Sequence, residues 1–246
     1  MAYAMRTAEE RPALPDIHLL PEIEINGQKR DITLFGPETL DPNEANMQKH
    51  YWHSAKQPDV TFEPLTSSEQ IQAMAYDIKS AQEKILNPGT LQLARIARTP
   101  QGVAVNVRSE AEFKKKLEQA EKIPFSNGHI YLGEQDFGFA EYDSFTRGIQ
   151  EAGKFASEGL ANILEHTKGT ALNLKELASD EQYTNGVHVG GFDIPQETLL
   201  RVVRLSADTG FRQLRVDGYG RSDGYDFGFV FGGLRASERS EAPQKN

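Results

Sequence analysis

The four-residue pattern Asp-Phe-Gly-Phe occurs twice in this chain, at residues 136–139 and 226–229. Each copy ends a stretch that begins with Gly-Val, at residue 102 or residue 186, and continues through one amphipathic and one β-rich segment. On an extended strand the two phenylalanines lie on one side and the glycine lies on the other. The repeat therefore predicts two similar end strands, which belong either to a duplicated unit or to two unrelated units of one fold class.

The spacing of apolar residues predicts helices together with antiparallel strands. Residues 22–25 and 31–35 alternate with period two on either side of Asn26-Gly27, which predicts an N-terminal hairpin. Residues 60–142 then predict the order strand, helix, strand, strand, helix, strand, strand. We therefore expect an α+β fold, with antiparallel sheets and helices on one face, as a ferredoxin-like sheet or as tandem βαββ units.

Local signals place the elements of the first unit. Two capping boxes, Ser67-x-x-Gln70 and Ser109-x-x-Glu112, predict helix starts, and Asn87-Pro88-Gly89 predicts the end of the first helix. The apolar face predicted for that first helix consists of Ile71, Met74, Ala75, Ile78 and Ile85. The predicted strands are residues 60–62, 91–97, 103–107, 130–132 and 137–142, with a turn at 99–102.

A helical connection and a second unit follow. The connection has one predicted apolar face, formed by Ile149, Ala152, Ala156, Leu160, Ile163 and Leu164. In the second unit, Pro195 and Gly210 bound a predicted helix whose apolar stripe is Leu199, Val202 and Val203. Strands are expected at residues 187–192, 214–216 and 227–231. The predicted organisation is a flexible arm (1–16), a hairpin with an irregular segment (17–58), a first α+β unit (59–143), the helical connection (144–182), a second βαββ unit (183–235) and a disordered tail (236–246).

The amino-acid composition excludes some kinds of chemistry and disfavours some kinds of partner. The chain has no cysteine, which excludes disulfides, thiolate metal sites and cysteine nucleophiles. Its net charge of −9 disfavours nucleic acid and anionic membranes as partners. Because no run resembles a signal peptide or a membrane span, we expect a cytoplasmic location and no membrane partner. Between residues 186 and 235 the charges balance, and every base there is an arginine.

Part of the second unit resembles a nucleic-acid-binding family. Residues 225–230 resemble the second signature of the RNA recognition motif, and residues 187–192 are similar to its first signature. The earlier copy, residues 135–142, also resembles the second signature. The resemblance implies that bases stack on the aromatic positions of these strands, which here are Phe137, Phe139, Phe227, Phe229 and, in the first signature, His188. The alternative for the same letters is a strand whose aromatic face is buried against a helix, with the glycine leaving room opposite.

Two further patterns contain residue types that can bind metals. His50-x-x-His53 has helical spacing, but Tyr51 and Trp52 favour a structural aromatic cluster. Asp217, Asp223 and Asp226 lie among glycines, but their spacing does not match a calcium-binding EF-hand loop and favours a solvated hairpin loop. We expect neither a metal nor another cofactor.

No known catalytic motif occurs in the chain. The leading hypothesis is therefore a non-catalytic binding or assembly protein that acts through an exposed sheet face or edge, with a protein partner or with itself. One alternative is binding of RNA through the aromatic strands. The other is an acid–base enzyme in which His129 or His188 meets Asp136 or Asp226 in a cleft. The candidate binding residues are Phe137, Phe139, His188, Arg215, Phe227 and Phe229.

Overall fold

The computed structural model describes residues 17–25, 28–38, 62–80, 90–105, 115–116, 118, 130–134, 136–208, 210–218 and 228–234. For residues 17–25, 28–38, 62–64, 76–80, 90, 92 and 228–234 it describes the backbone only. Helices and mostly antiparallel strands make up this part of the chain, which confirms the predicted α+β class.

The strands of the described residues are β1 (Ile17–Ile25), β2 (Gln28–Glu38), β3 (Phe62–Pro64), β4 (Thr90–Arg98), β5 (Gly102–Val105), β6 (Ile130–Leu132), β7 (Gly138–Glu141), β8 (Gly148–Gln150), β9 (Val187–Gly190), β10 (Leu199–Asp208), β11 (Gln213–Asp217) and β12 (Gly228–Leu234). The α-helices with described bounds are α1 (Ser67–Ser80), α2 (Ala152–Ser157), α3 (Gly159–Glu165) and α4 (Leu172–Ala178). Lys115, Lys116 and Glu118 are also helical.

The strands form one hydrogen-bonded sheet. Its main path runs β1-β2-β12-β4-β10-β11-β9-β8. A branch leaves β4 and continues through β5 and β7 to β6, while β3 pairs with β12. Only the pairs β9–β11 and β4–β12 are parallel among the described strands. The path ends at β8, which makes this short strand an edge of the sheet.

Two predicted hairpins are confirmed. Strands β1 and β2 pair antiparallel with Ile25 opposite Gln28, as expected around Asn26-Gly27. Strands β4 and β5 pair antiparallel across the turn at 99–102. In that turn the Thr99 hydroxyl oxygen accepts hydrogen bonds from the backbone N–H groups of Gln101 and Gly102, both at 3.1 Å.

The first helix starts with a different capping box from the predicted one. The Thr66 hydroxyl accepts from the Glu69 N–H at 3.2 Å, and the Glu69 carboxylate accepts from the Thr66 N–H at 3.0 Å. Ser67 instead donates to the Leu164 carbonyl, and the Gln70 amide donates to the Leu93 carbonyl. The predicted box was therefore wrong by one residue, because its two polar side chains bond to α3 and β4.

The apolar face predicted for this helix is confirmed where side chains are described, since Ile71, Met74 and Ala75 are buried. The side chain of Ile78 and all of Ile85 lie outside the described residues, as does the second capping box.

The helix predicted between Pro195 and Gly210 was wrong, because Leu199–Asp208 is strand β10. The described residues of the second unit therefore contain no helix of a βαββ unit, and neither tandem units nor a ferredoxin-like order is confirmed. The two copies of the phenylalanine pattern also have different neighbouring strands, since β7 pairs with β5 and β6 whereas β12 pairs with β2, β3 and β4.

The apolar face predicted for the helical connection was wrong at its first residue, since Ile149 lies in β8.

The core lies between the helices and one face of the sheet. Buried side chains of these four helices form one apolar cluster with strand residues such as Val189, Leu205 and Val216. Close approach of α3 to β7 depends on Gly138, where an added Cβ would lie 2.8 Å from the Cβ of Ile163. A smaller apolar cluster lies on the opposite sheet face and consists of Ala97, Ala104, Phe137 and Phe139.

Candidate binding surface

The sheet face opposite to helices α1–α4, called the outer face below, carries several polar strand residues. On β9, Val187 and Val189 enter the core, so the intervening His188 lies on the outer face. On β11, Leu214 and Val216 enter the core in the same way, which places Arg215 on the outer face. His188 and Arg215 are direct partners in the parallel register of these strands. Two of the predicted binding residues are thus brought side by side.

An exposed isoleucine extends this pair to the edge of the sheet. Ile149 on β8 is the register partner of His188 and is 66% exposed. His188 and Arg215 are both half-buried. The cross-strand row Ile149, His188 and Arg215 is called the edge row below. It combines one apolar side chain with two groups that can donate hydrogen bonds or carry positive charge.

Arginines continue across the outer face. Arg204 lies opposite Asp217 on neighbouring strands, and Arg95 lies opposite Val202. Arg215 approaches the Asp208 carboxylate, with Nη1 and Oδ2 separated by 3.8 Å. On β4, β10 and β11 this face thus carries the three arginines Arg95, Arg204 and Arg215 together with the two aspartates Asp208 and Asp217.

The edge strand itself leaves space for a partner. Among the described strands β8 pairs only with β9. Gly148 has a φ of +93°, and a Cβ added there would have no atom within 4 Å. The residues on either side of β8, Arg147 and Glu151, are both exposed. The outward side of β8 is therefore not covered by a described strand.

The phenylalanines of the first repeat copy are also on the outer face, but they are packed. Phe137 is 2% exposed and Phe139 is 1% exposed. They cluster with Ala97 and Ala104, and the Tyr131 ring meets Phe137 edge-on at a centroid distance of 6.2 Å. Strands β10, β4 and β5 separate β7 from the Arg215 strand. The rings of this copy are buried, as the alternative to a base platform expected, and they expose almost no surface to a base. They are not buried against helices α1–α4, however, because it is the face of Gly138 that packs on α3.

The second copy lies only partly within the described residues. The backbone of Phe229 lies in β12, where it is the register partner of Leu91. The side chain of Phe229, and all of Phe227, lie outside the described residues, as do His50, His53, His129, Asp223 and Asp226.

Asp136 meets a histidine that the sequence reasoning did not single out. The His166 Nδ1 lies 3.7 Å from the Asp136 carboxylate, and Nε2 lies 3.0 Å from the Gly133 carbonyl oxygen. Because a carbonyl oxygen only accepts, Nε2 is the donor in that contact. Both ring nitrogens are thus directed at the loop between β6 and β7.

The backbone of this pair is strained. Asp136 and His166 have φ values of 60° and 51°, in the left-handed region that non-glycine residues seldom adopt. His166 ends α3, so the pair ties the C-terminus of that helix to the loop. With neither nitrogen directed elsewhere, the pair acts as a structural link more readily than as a general base. No local sequence signal identifies this link, because its residues are 30 positions apart and belong to different elements.

Two buried tyrosines have raised pKa values. Burial raises the pKa of Tyr142, and this rise is partly opposed by the positive charge of the neighbouring Arg98. Burial, together with the charge of Asp180, raises the pKa of Tyr183 to about 12. Both phenols are therefore protonated at neutral pH and cannot serve there as bases.

The described ranges contain no group of three or more histidine and acidic side chains that could hold a metal ion. Over the same ranges, no helix has the length and apolar character needed to span a membrane.

Comparisons with protein-family models, with curated proteins and with solved structures each give no match to this chain.

Proposed function

We propose that this chain is a non-catalytic binding or assembly protein whose working surface is strand β8 together with the edge row. The observation that carries the proposal is Ile149, a large apolar side chain that is 66% exposed in the middle of an edge strand. Natural sheets commonly protect their edges with charged residues, proline or bulges. Isoleucine at the centre of an edge instead favours pairing with a further strand, since β-branched residues are preferred in sheets.

The rest of the edge row supports a specific contact. An added strand gains affinity from main-chain hydrogen bonds and specificity from the side chains beside it. Ile149 supplies apolar area on β8. His188 on β9 and Arg215 on β11 supply hydrogen-bond donors on the next two strands of the sheet. The ion pair of Arg215 with Asp208 holds that side chain over the outer face. The row thus combines an apolar centre with a polar border.

Single-stranded RNA is the second candidate ligand. The arginines on β4, β10 and β11 lie on the face opposite to the helices and would attract phosphate. Binding through stacked bases needs exposed rings, however, and those of Phe137 and Phe139 are buried. This distribution favours protein recognition as the main role.

Two exposed residues allow a matched test. Ile149 and Leu172 are 66% and 67% exposed, but Leu172 lies at the start of α4 and outside the sheet. Ile149→Lys and Leu172→Lys therefore add the same charge and remove similar apolar area. Self-association is measured by light scattering, and partners are captured from an extract of the source cells.

We expect Ile149→Lys to lose the association or the captured partner, and Leu172→Lys to retain it. The proposal fails if the wild-type chain neither associates nor captures a partner. It also fails if both variants behave like the wild type.

A further inference from the structure

We propose that the partner of β8 is a second copy of this chain, with the two β8 strands paired antiparallel about a two-fold axis through Ile149. The inference rests on the proposed function and gives its edge surface a definite occupant. Two-fold interfaces are the commonest form of homo-oligomer, and each uses the same surface of both copies. A strand at the end of a sheet fits this symmetry, because its antiparallel partner can be its own equivalent.

The sequence around β8 is self-complementary in that register. Residues 147–151 are Arg, Gly, Ile, Gln and Glu. Antiparallel pairing centred on Ile149 places residue 147 of one copy opposite residue 151 of the other. Arg147 then faces Glu151 of the second copy, and the symmetry repeats the pair. Both side chains are exposed and long enough to meet across neighbouring strands.

The steric arrangement is compatible with this pairing. In the same register Gly148 faces Gln150 of the second copy, so within residues 148–150 the central isoleucines are the one pair of large side chains that oppose each other. The space around Gly148 is open. Residues 147–151 carry no net charge, so the edges can approach although each chain carries −9.

The expected dimer is weak and depends on protein concentration. Three paired residues and their flanks form a small interface, below the roughly 1,200 Å² of a standard stable one. Exposed ion pairs add little each and are screened by salt. Their value lies in fixing register, since a shift by one residue would separate both pairs.

Charge exchange tests the register. Arg147→Glu makes two like-charged contacts in the proposed dimer, and Glu151→Arg does the same with the opposite sign. Each single variant should weaken the dimer by about tenfold or more. Mixing the two single variants should restore association as a heterodimer, and the double variant should restore it as a homodimer.

The measurement is sedimentation velocity at concentrations up to about 1 mM, where even weak dimers are populated. The substitutions leave the fold intact, because both side chains are exposed and Glu151 makes no side-chain cap bond to α2. Ile149→Lys should also abolish the dimer, while Leu172→Lys should not. Circular dichroism confirms that each variant is folded.

The pairing is overturned if the wild type stays monomeric throughout this range. A dimer that tolerates the single charge variants, or mixed variants that fail to associate, overturns it equally. If the chain is monomeric but captures another protein in a way that Ile149→Lys abolishes, the self-pairing fails and the proposed function stands. If Ile149→Lys changes neither self-association nor the capture of a partner, the self-pairing and the proposed function both fail.

Discussion

At the scale of single residues, long-range hydrogen bonds satisfy buried polar groups that no local motif predicts. The carboxylate of Glu165, at the end of α3, accepts from the N–H groups of Asn173 and Leu174 at 3.1 and 2.9 Å and from the Asn173 side chain at 2.9 Å. It thereby caps α4 from another helix, where a negative charge also favours the helix N-terminus. The Tyr183 hydroxyl, in contrast, has no hydrogen-bond partner among the described residues.

Replacing Tyr183 by phenylalanine should make the protein less sensitive to alkali. The folded pKa of about 12 exceeds the ordinary value of 10.0, so the unfolded chain loses this proton first as pH rises. The raised pKa therefore adds roughly 2 to 3 kcal/mol to the free energy of unfolding. This stabilisation is fully present below pH 10 and is lost as the pH rises towards 12. Tyr142 contributes in the same direction and leaves part of the decline in the variant.

At neutral pH we expect Tyr183→Phe to be at least as stable as the wild type, because it removes a buried hydroxyl without a partner. Urea unfolding at pH 7 and near pH 11 measures both effects. The account is contradicted if the wild type and Tyr183→Phe lose the same free energy of unfolding between pH 7 and pH 11.

Phe139 distinguishes the packed role of the first repeat copy from a ligand platform. Phe139→Ala should lower the free energy of unfolding by about 3 to 5 kcal/mol, because the ring is buried and leaves a cavity. Phe211→Ala, at a ring that is 69% exposed, is the control and should change stability by no more than about 0.5 kcal/mol. Denaturant titration compares them. A stable Phe139→Ala variant that loses RNA binding would instead support a platform.

At the scale of elements, two glycines with opposite surroundings test how α3 packs on the sheet. In Gly138→Ala the new Cβ would lie 2.8 Å from Ile163, so we expect a loss of about 1 to 3 kcal/mol from overpacking. Gly153 lies in α2 with no atom within 4 Å of an added Cβ. Gly153→Ala should therefore stabilise the protein, by up to about 1 kcal/mol. Thermal unfolding shows whether each substitution raises or lowers the stability of the protein. Equal changes in stability for Gly138→Ala and Gly153→Ala would contradict the packing described for α3.

The elements that local chemistry determines could be predicted from the sequence, such as the β1–β2 and β4–β5 hairpins. Strand β10 could not, because Val202 and Val203 lie on opposite faces of the sheet while matching an apolar helical stripe with Leu199. A register shift on β4, where Leu93 lies between the partners of Val203 and Arg204, accompanies this departure from simple alternation. The choice between helix and strand here depends on tertiary pairing, which a local pattern does not contain.

At the scale of the whole molecule, the candidate surface exists only because distant segments pair. Ile149, His188 and Arg215 come from three strands, and the pairing of β9 with β11 is parallel. His188 and Arg215 could be named from the sequence, but their adjacency could not. Ile149 was assigned to a helix, so the edge that completes the surface was not predicted. The same sheet buries Phe137 and Phe139, which the sequence alone left open.

Hydrogen–deuterium exchange tests the central claim, that β8 is the working edge, most directly. Exchange is compared between dilute chain and chain associated with itself or with a captured partner. We predict slower exchange of the β8 amides in the associated state, because an added strand occupies their outward side, and unchanged exchange in α4. Unchanged exchange at residues 148–150, with protection gained in another segment, would contradict the account.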